Sequence, residues 1–478
     1  MNILFASSEA VPFAVSGGLA EVAGALPKAL KAKGEDVRVI LPLYGSVTEE
    51  QRAEMKYLLN FDVAVAWRRQ YCGVFEAKAD GVTYYLLDNE YYFKRSGLYG
   101  YYDDAERFAF FSRAVLDTVK HLEELDGFKP DIIHCNDWQT ALIPVYYNCF
   151  YRDTPGYEDI RTVYTIHNIQ YQGLYGMDIL SEVVGLDPQD FYIVENDGLA
   201  NFSKGAIECC NKVTTVSPSY ANEILDPWYS HGLDGILHRN LWKLTGILNG
   251  IDVESYDPNT DPAIPFHYSQ ARKTNKKKDK AALEDRFGFE HQPDVPIIGL
   301  ISRLVSHKGL DLITAIIDEL LYNTEVRMIV LGSGDSSYEN YFRGVAERHP
   351  DKFRVELGFD PGLARKIYAG ADLFLMPSKS EPCGLSQMIA SRYGTVPLVR
   401  ECGGLADTIR PWNEYEKIGN GFTFTNYNAH DMMNVIRYAL RLYHDHSEWD
   451  RLVKNAMNVD FSWNVSAKKY IDIYGSLK

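Results

Sequence analysis

Short runs of apolar, often β-branched residues recur along this chain between segments with helical apolar spacing. That alternation admits few folds other than parallel sheets covered by helices. Residues 3–5, 37–41, 131–134 and 162–166 read as strands within the first 240 positions. After the first of them, Leu19, Val22, Ala23, Leu26 and Leu30 form one stripe at i, i+3, i+4, i+7 spacing, as expected of a helix packed on a sheet. The pattern pauses at residues 246–252, and an Asp- and Pro-rich stretch through 261–265 reads as a linker. A second alternating series follows, with strands expected at 296–302, 327–331, 354–357, 373–376 and 396–399. The expected class is α/β, with one domain over 1–245 and a second over 246–462.

Length supports this division, because 478 residues of which 46% are hydrophobic can fill two cores. With 65 acidic and 49 basic side chains the net charge is −16, which argues against nucleic acid as a partner. The seven cysteines are odd in number and lack metal-ligand spacing, so a reduced, cytoplasmic protein is expected, with adjacent Cys209 and Cys210 structural. No apolar run reaches membrane-spanning length, and the amino terminus, interrupted by Glu9, reads as a first strand rather than a leader. The basic run 272–278 reads as solvated, and His444-Asp445-His446 as surface at a helix end. With no Asp-x-Asp, His-Glu-x-x-His or zinc-spaced cysteines, neither a metal nor a cofactor is expected.

The most informative stretch is residues 377–387, Pro-Ser-Lys-Ser-Glu-Pro-Cys-Gly-Leu-Ser-Gln, between an apolar strand and a helix that Gly394 stops. It places Glu381 at the carboxyl end of a strand beside helix-start amides that lack internal partners, an arrangement suited to a sugar. Two further turns also follow strands. Val15-Ser16-Gly17-Gly18-Leu19 opens the first long helix, where paired glycines permit close backbone approach to an anion, although taken alone they are better explained by a tight connection. Arg303 and Lys308 follow the strand at 296–302 and pair a bidentate donor with a mobile ammonium, which suits a diphosphate unless both are plain surface cations. Glu401-Cys402-Gly403-Gly404-Leu405 adds another glycine pair after a strand, and Asp137 and His167 lie at strand ends in the first half. Without a metal, a departing diphosphate would rely on Arg303, Lys308 and backbone amides.

These residues together resemble the bacterial glycogen synthases and plant starch synthases along the whole chain. The resemblance rests on residues 7–27, Asn136 to Ala141, His167 to Gly173, Leu248 to Asp252, Ser302 to Leu310, Glu381 to Leu385 and Asp460 to Trp463. It implies two Rossmann-like doubly wound domains facing a deep cleft (GT-B type), with a last helix at about 463–478 crossing back to the first. The implied reaction passes glucose from a nucleotide sugar, ADP-glucose by bacterial likeness or else UDP-glucose, to the non-reducing end of an α-1,4-glucan. Anomeric configuration is retained and no metal takes part. By the same resemblance Arg303 and Lys308 bind the diphosphate with amides of Gly18, Leu385 and Ser386, while Glu381, Cys383 and Gly384 hold glucose hydroxyls. His167, Asn249 and Asp137 line the sugar pocket, and Phe359 meets the base. Val15 departs from the pattern, since the family carries Lys there. That change raises two alternatives, weakened donor binding and a non-catalytic glucan-binding paralogue; a two-lobed nucleotide-sugar epimerase is a further rival that has no use for the acceptor-side residues.

Overall fold

In the computed structural model, which describes residues 1–478, the first apolar run forms a strand whose residues from Ile3 to Ala6 are fully buried. The strands of the first half are β1 (Asn2–Ala6), β2 (Asp36–Pro42), β3 (Lys56–Val65), β4 (Arg68–Ala79), β5 (Val82–Asp88), β6 (Ile132–Asn136), β7 (Arg161–Ile166), β8 (Leu174–Tyr175), β9 (Glu195–Asn196), β10 (Leu199–Asn201), β11 (Lys212–Thr215) and β12 (Leu244–Gly246). Nine of them form one sheet in the order β12-β11-β7-β6-β1-β2-β5-β4-β3, and β8, β10 and β9 form a small antiparallel sheet. Helix α1 (Gly18–Ala32) buries Leu19, Val22, Ala23, Leu26 and Leu30, the stripe expected from spacing.

The large sheet is parallel from β12 to β5, but β4 pairs antiparallel with both β5 and β3. This corrects the expectation of a wholly parallel sheet. The hairpin turn is Ala66-Trp67, with Ala66 at φ 50°, and carries none of the Asn-Gly or Asp-Gly chemistry that marks such turns in a sequence.

The second half adds β13 (Ile297–Ile301), β14 (Arg327–Gly332), β15 (Phe353–Leu357), β16 (Leu373–Met376), β17 (Val396–Arg400) and β18 (Phe422–Phe424). They form one parallel sheet in the order β15-β14-β13-β16-β17-β18. The chain divides into Met1–Gly250 with Trp463–Lys478, and Ile251–Ser462. Residues 244–246 still belong to the first sheet, because β12 pairs with β11.

One surface expectation changes. Lys276, inside the basic run, turns its ammonium onto the carbonyl of Ala369 and the hydroxyl of Thr395, each at 2.8 Å, and burial lowers its pKa to about 7. The expectation for His444-Asp445-His446 holds, since all three are exposed; Asp445 is the N-cap that starts the helix His446–Asn458 after the helix Ala429–Tyr443 ends, so the two histidines border different helices. No helix is long and apolar enough to cross a membrane.

Candidate active site

In both sheets the strand order reverses beside the first strand of the unit. At such a reversal neighbouring connections leave to opposite faces, and the carboxyl ends of the two strands border a crevice. In the second unit the reversal lies between β13 and β16. It therefore brings together the loop 302–309 and the loop 377–385, which are about seventy residues apart in the chain.

Close backbone contact locks these loops. Gly309 has φ +73°, and a Cβ there would lie 2.0 Å from the Pro377 carbonyl oxygen; Gly403 has φ +44°, and a Cβ there would lie 2.0 Å from the Glu381 carbonyl oxygen. The neighbouring Gly404 amide donates to the carbonyls of Glu381 and Pro382, both at 3.1 Å. The second glycine pair thus serves as the bed on which the Glu381 loop rests. Across the two loops the Lys379 amide donates to the His307 carbonyl at 2.9 Å.

The result is a buried, paired carboxylate. Glu381 is 6% exposed, and Lys308 Nζ donates to its Oε1 at 2.9 Å and its Oε2 at 2.8 Å. Ser378 Oγ donates to Oε2 at 2.8 Å. Burial alone would raise the Glu381 carboxyl pKa, but Lys308 and Ser378 outweigh it and hold the group below its ordinary value, hence ionised at neutral pH. Lys308, expected at a diphosphate, spends two of its three donors on Glu381. Arg303, on the same loop, is exposed and its guanidinium has no hydrogen-bonded protein partner.

Three more expected residues are shaped by this loop. Gln387 Nε2 donates to the carbonyls of Cys383 at 3.1 Å and Gly384 at 2.9 Å, and to Thr408 Oγ1 at 3.1 Å. Those carbonyls point into the protein, and the helix Ser386–Arg392 starts from Leu385 with no side-chain cap on its first amides. Phe359 follows β15 and is 85% exposed, an aromatic face open to solvent.

In the first unit the reversal lies between β1 and β6. Asp137 directly follows β6 with φ 58° and ψ 178°, a backbone conformation that side-chain-bearing residues rarely adopt and that costs about 1–3 kcal/mol. The surrounding hydrogen bonds hold it there. Its carboxylate accepts the His167 amide at 2.7 Å and the Asn168 amide at 3.4 Å, while burial pushes its pKa up to about 7. His167 Nε2 meets Asn136 Oδ1 at 2.9 Å, and burial lowers the imidazole pKa to about 3, so it is neutral. Asn249 is 5% exposed with its Oδ1 lacking a protein partner.

After β1 the turn 15–18 is anchored by a residue that was not singled out as functional: Glu9 Oε2 accepts the Ser16 amide at 2.5 Å. Burial raises the Glu9 carboxyl above its ordinary value despite that bond. Gly18 opens α1 without a side-chain cap, and Val15 is 48% exposed. Ser378, Gln387 and Glu9 were also missed as functional candidates, although each stands within a motif read for its neighbours.

Two α/β units, each doubly wound with polar loops gathered where strand order reverses, are the architecture of the GT-B glycosyltransferases, and the comparisons place the chain in that class. The catalytic domain of starch synthase IV from Arabidopsis thaliana, bound to ADP and acarbose, superimposes with a TM-score of 0.92 at 33% identity, covering 100% of this chain and 99% of that one. A sucrose-phosphate synthase from Thermosynechococcus elongatus shares the fold, with a TM-score of 0.61 at 16% identity over 99% of this chain and 98% of its own. Residues 2–239 match the model of the starch synthase catalytic domain, and residues 282–459 that of glycosyl transferases group 1. The chain belongs to the glycogen synthase family: it is 49% identical over its full length to glycogen synthases of Desulforamulus reducens and Geobacillus stearothermophilus, covering 99% and 98% of those proteins.

Proposed function

We propose that the chain transfers glucose from ADP-glucose to the non-reducing end of an α-1,4-glucan, with retention of anomeric configuration and without a metal ion. The observation that carries this reading is the buried Glu381 carboxylate, held ionised by Lys308 and Ser378 at the sheet's reversal point. A fixed negative charge there offsets positive charge developing on the sugar as its bond to phosphate lengthens. Arg303, the third donor of Lys308 and the uncapped amides at Leu385 and Ser386 take up the charge appearing on the diphosphate. Cys383 and Gly384 lie against the glucose hydroxyls. Phe359 stacks on the base, and Gly18 lies by the diphosphate. His167, neutral and fixed by Asn136, and Asn249, with its free oxygen, contact the transferred glucose along with Asp137.

ADP-glucose is preferred to UDP-glucose because the Arabidopsis starch synthase was solved with ADP. The non-catalytic paralogue is not favoured, since full-length relatives at 49% identity are glycogen synthases. The net charge of −16 and the seven free cysteines accord with a cytoplasmic enzyme that acts on sugars. The test is transfer of labelled glucose to a glycogen primer from each donor in turn. ADP-glucose is expected to serve and an α-linkage to form. Absence of transfer from either donor, or a β-linked product, overturns the reading. Glu381→Gln is expected to lower kcat roughly 100- to 1,000-fold, the scale of losing an oriented electrostatic partner.

A further inference from the structure

Glu381 is held by a side chain, Ser378, that is itself held by others. The Ser378 carbonyl accepts from Arg400 Nη1 at 3.2 Å and from Cys402 Sγ at 3.4 Å, and the same Arg400 nitrogen donates to the Lys379 carbonyl at 3.0 Å. Arg400 ends β17, the strand beside β16, so its guanidinium bridges the carboxyl ends of adjacent strands. It lies over the Tyr427 ring at 5.5 Å, and the Tyr427 hydroxyl is in turn bonded to Asp311. Its Nε is buried with no partner of its own. An arginine that uses a single Nη on two consecutive carbonyls and leaves Nε unsatisfied is poorly used as a stability element, because a buried donor without a partner is costly. Its hydrogen bonds go to the backbone that carries Ser378.

We propose that Ser378 and Arg400 are positioning residues for the reaction, Ser378 by its direct bond to the Glu381 carboxylate and Arg400 by holding the Ser378–Lys379 carbonyls. The inference rests on the assignment of Glu381 to the transferred sugar. Lys308 reaches Glu381 through a flexible stem and spreads its bonds over both carboxylate oxygens. When a diphosphate draws on that ammonium, Ser378 is the donor that remains. The titratable and charged groups around Glu381 are Lys308 and His307 on the loop after β13, and Lys379 and Arg400 on the far side. Ser378 favours the charged form of Glu381, so its removal raises the carboxyl pKa and the ionised enzyme is lost at higher pH.

The experiment measures kcat, donor KM and the acid limb of the kcat–pH profile for the full chain and for Ser378→Ala, Ser378→Thr, Arg400→Ala and Arg400→Lys. Ser378→Ala is expected to lose about ten- to a hundredfold in kcat, the worth of a hydrogen bond to a charged group, with donor KM within about threefold. Its acid limb moves to higher pH. Ser378→Thr restores both the rate and the limb. Arg400→Ala moves the limb in the same direction with a kcat loss of about tenfold, and Arg400→Lys recovers most of it. The double variant Ser378→Ala/His307→Asn keeps the moved limb, which excludes His307 as its source; loss of the shift there overturns the inference. A kcat loss with an unmoved limb, or failure of Ser378→Thr to rescue, also overturns it. If Glu381→Gln abolishes transfer while the Ser378 and Arg400 variants match the parent, only the positioning role falls. If Glu381→Gln is fully active, the functional assignment falls with it.

Discussion

At the scale of single residues, the site balances ionisation against burial in opposite ways in the two units. Glu381 is kept charged by partners, whereas Asp137 is pushed toward neutrality, with a pKa of about 7 in the folded protein. An unfolded Asp ionises near its ordinary value of about 4, so between about pH 4 and 7 the unfolded chain gives up a proton that the folded chain keeps. Asp137 therefore removes stability as pH rises through this window, and the full cost is present above it. Asp137→Asn does not titrate. Its unfolding free energy from denaturant titration should match the parent near pH 4 and exceed it at pH 8 by on the order of 2–4 kcal/mol, while transfer activity falls. Val15 poses a different residue-level question, because an exposed apolar side chain stands in the turn where the resemblance leads one to expect a lysine. Val15→Lys should lower donor KM by about one to two decades, the value of one charge-assisted contact of about 1.5–3 kcal/mol; an unchanged KM removes the missing cation as an explanation.

At the scale of elements, two loops depend on glycines for contact rather than for motion. Gly403 must leave room for the Glu381 carbonyl, and Gly309 for that of Pro377; both hold positive φ. Gly403→Ala places a methyl group 2.0 Å from backbone that cannot yield cheaply. It should cost about 1–3 kcal/mol of stability in calorimetry. By displacing Glu381 by a fraction of an ångström to an ångström, it should also lower kcat by up to about a hundredfold. These elements were legible in part. The strand at residues 373–376 and the helix that follows could be read from apolar runs and a stop signal, and Glu381 could be placed at their junction. What could not be read is that the Gly403-Gly404 pair lies beneath Glu381, because a Gly-Gly dipeptide looks the same whether a ligand or another loop occupies the space above it. The β3–β4 hairpin was illegible for a related reason: Ala66-Trp67 carries no turn signature, and its geometry is imposed by packing, where Gly185 admits the Ala66 backbone.

At the scale of the whole molecule, the final helix Trp463–Gly475 belongs to the first unit although it comes last in the chain. Tyr474 meets His134 Nδ1 at 2.7 Å inside the core, and His134 Nε2 meets Thr165 Oγ1 at 2.6 Å. Burial lowers the His134 pKa to about 3, so the imidazole is neutral and needs both partners. Tyr474→Phe should destabilise the first unit by about 1–3 kcal/mol, the cost of leaving a buried ring nitrogen unpaired. Truncation after Ser462 should lower the first unit's unfolding transition while leaving that of residues 251–462 in place, as two resolved transitions in a denaturant titration would report. Sequence alone determined the alternation of strands and helices, the existence of two α/β units and the position of Glu381, Arg303, Asp137 and His167 at strand ends, since periodicity is set by near neighbours along the backbone. Only the tertiary structure decided that β16 lies beside β13, that Lys308 reaches Glu381 across 73 residues and that Tyr474 reaches His134 across 340. Strand order and long-range pairing are settled by which buried faces and polar groups satisfy one another, and that is a property of the packed chain rather than of any local segment.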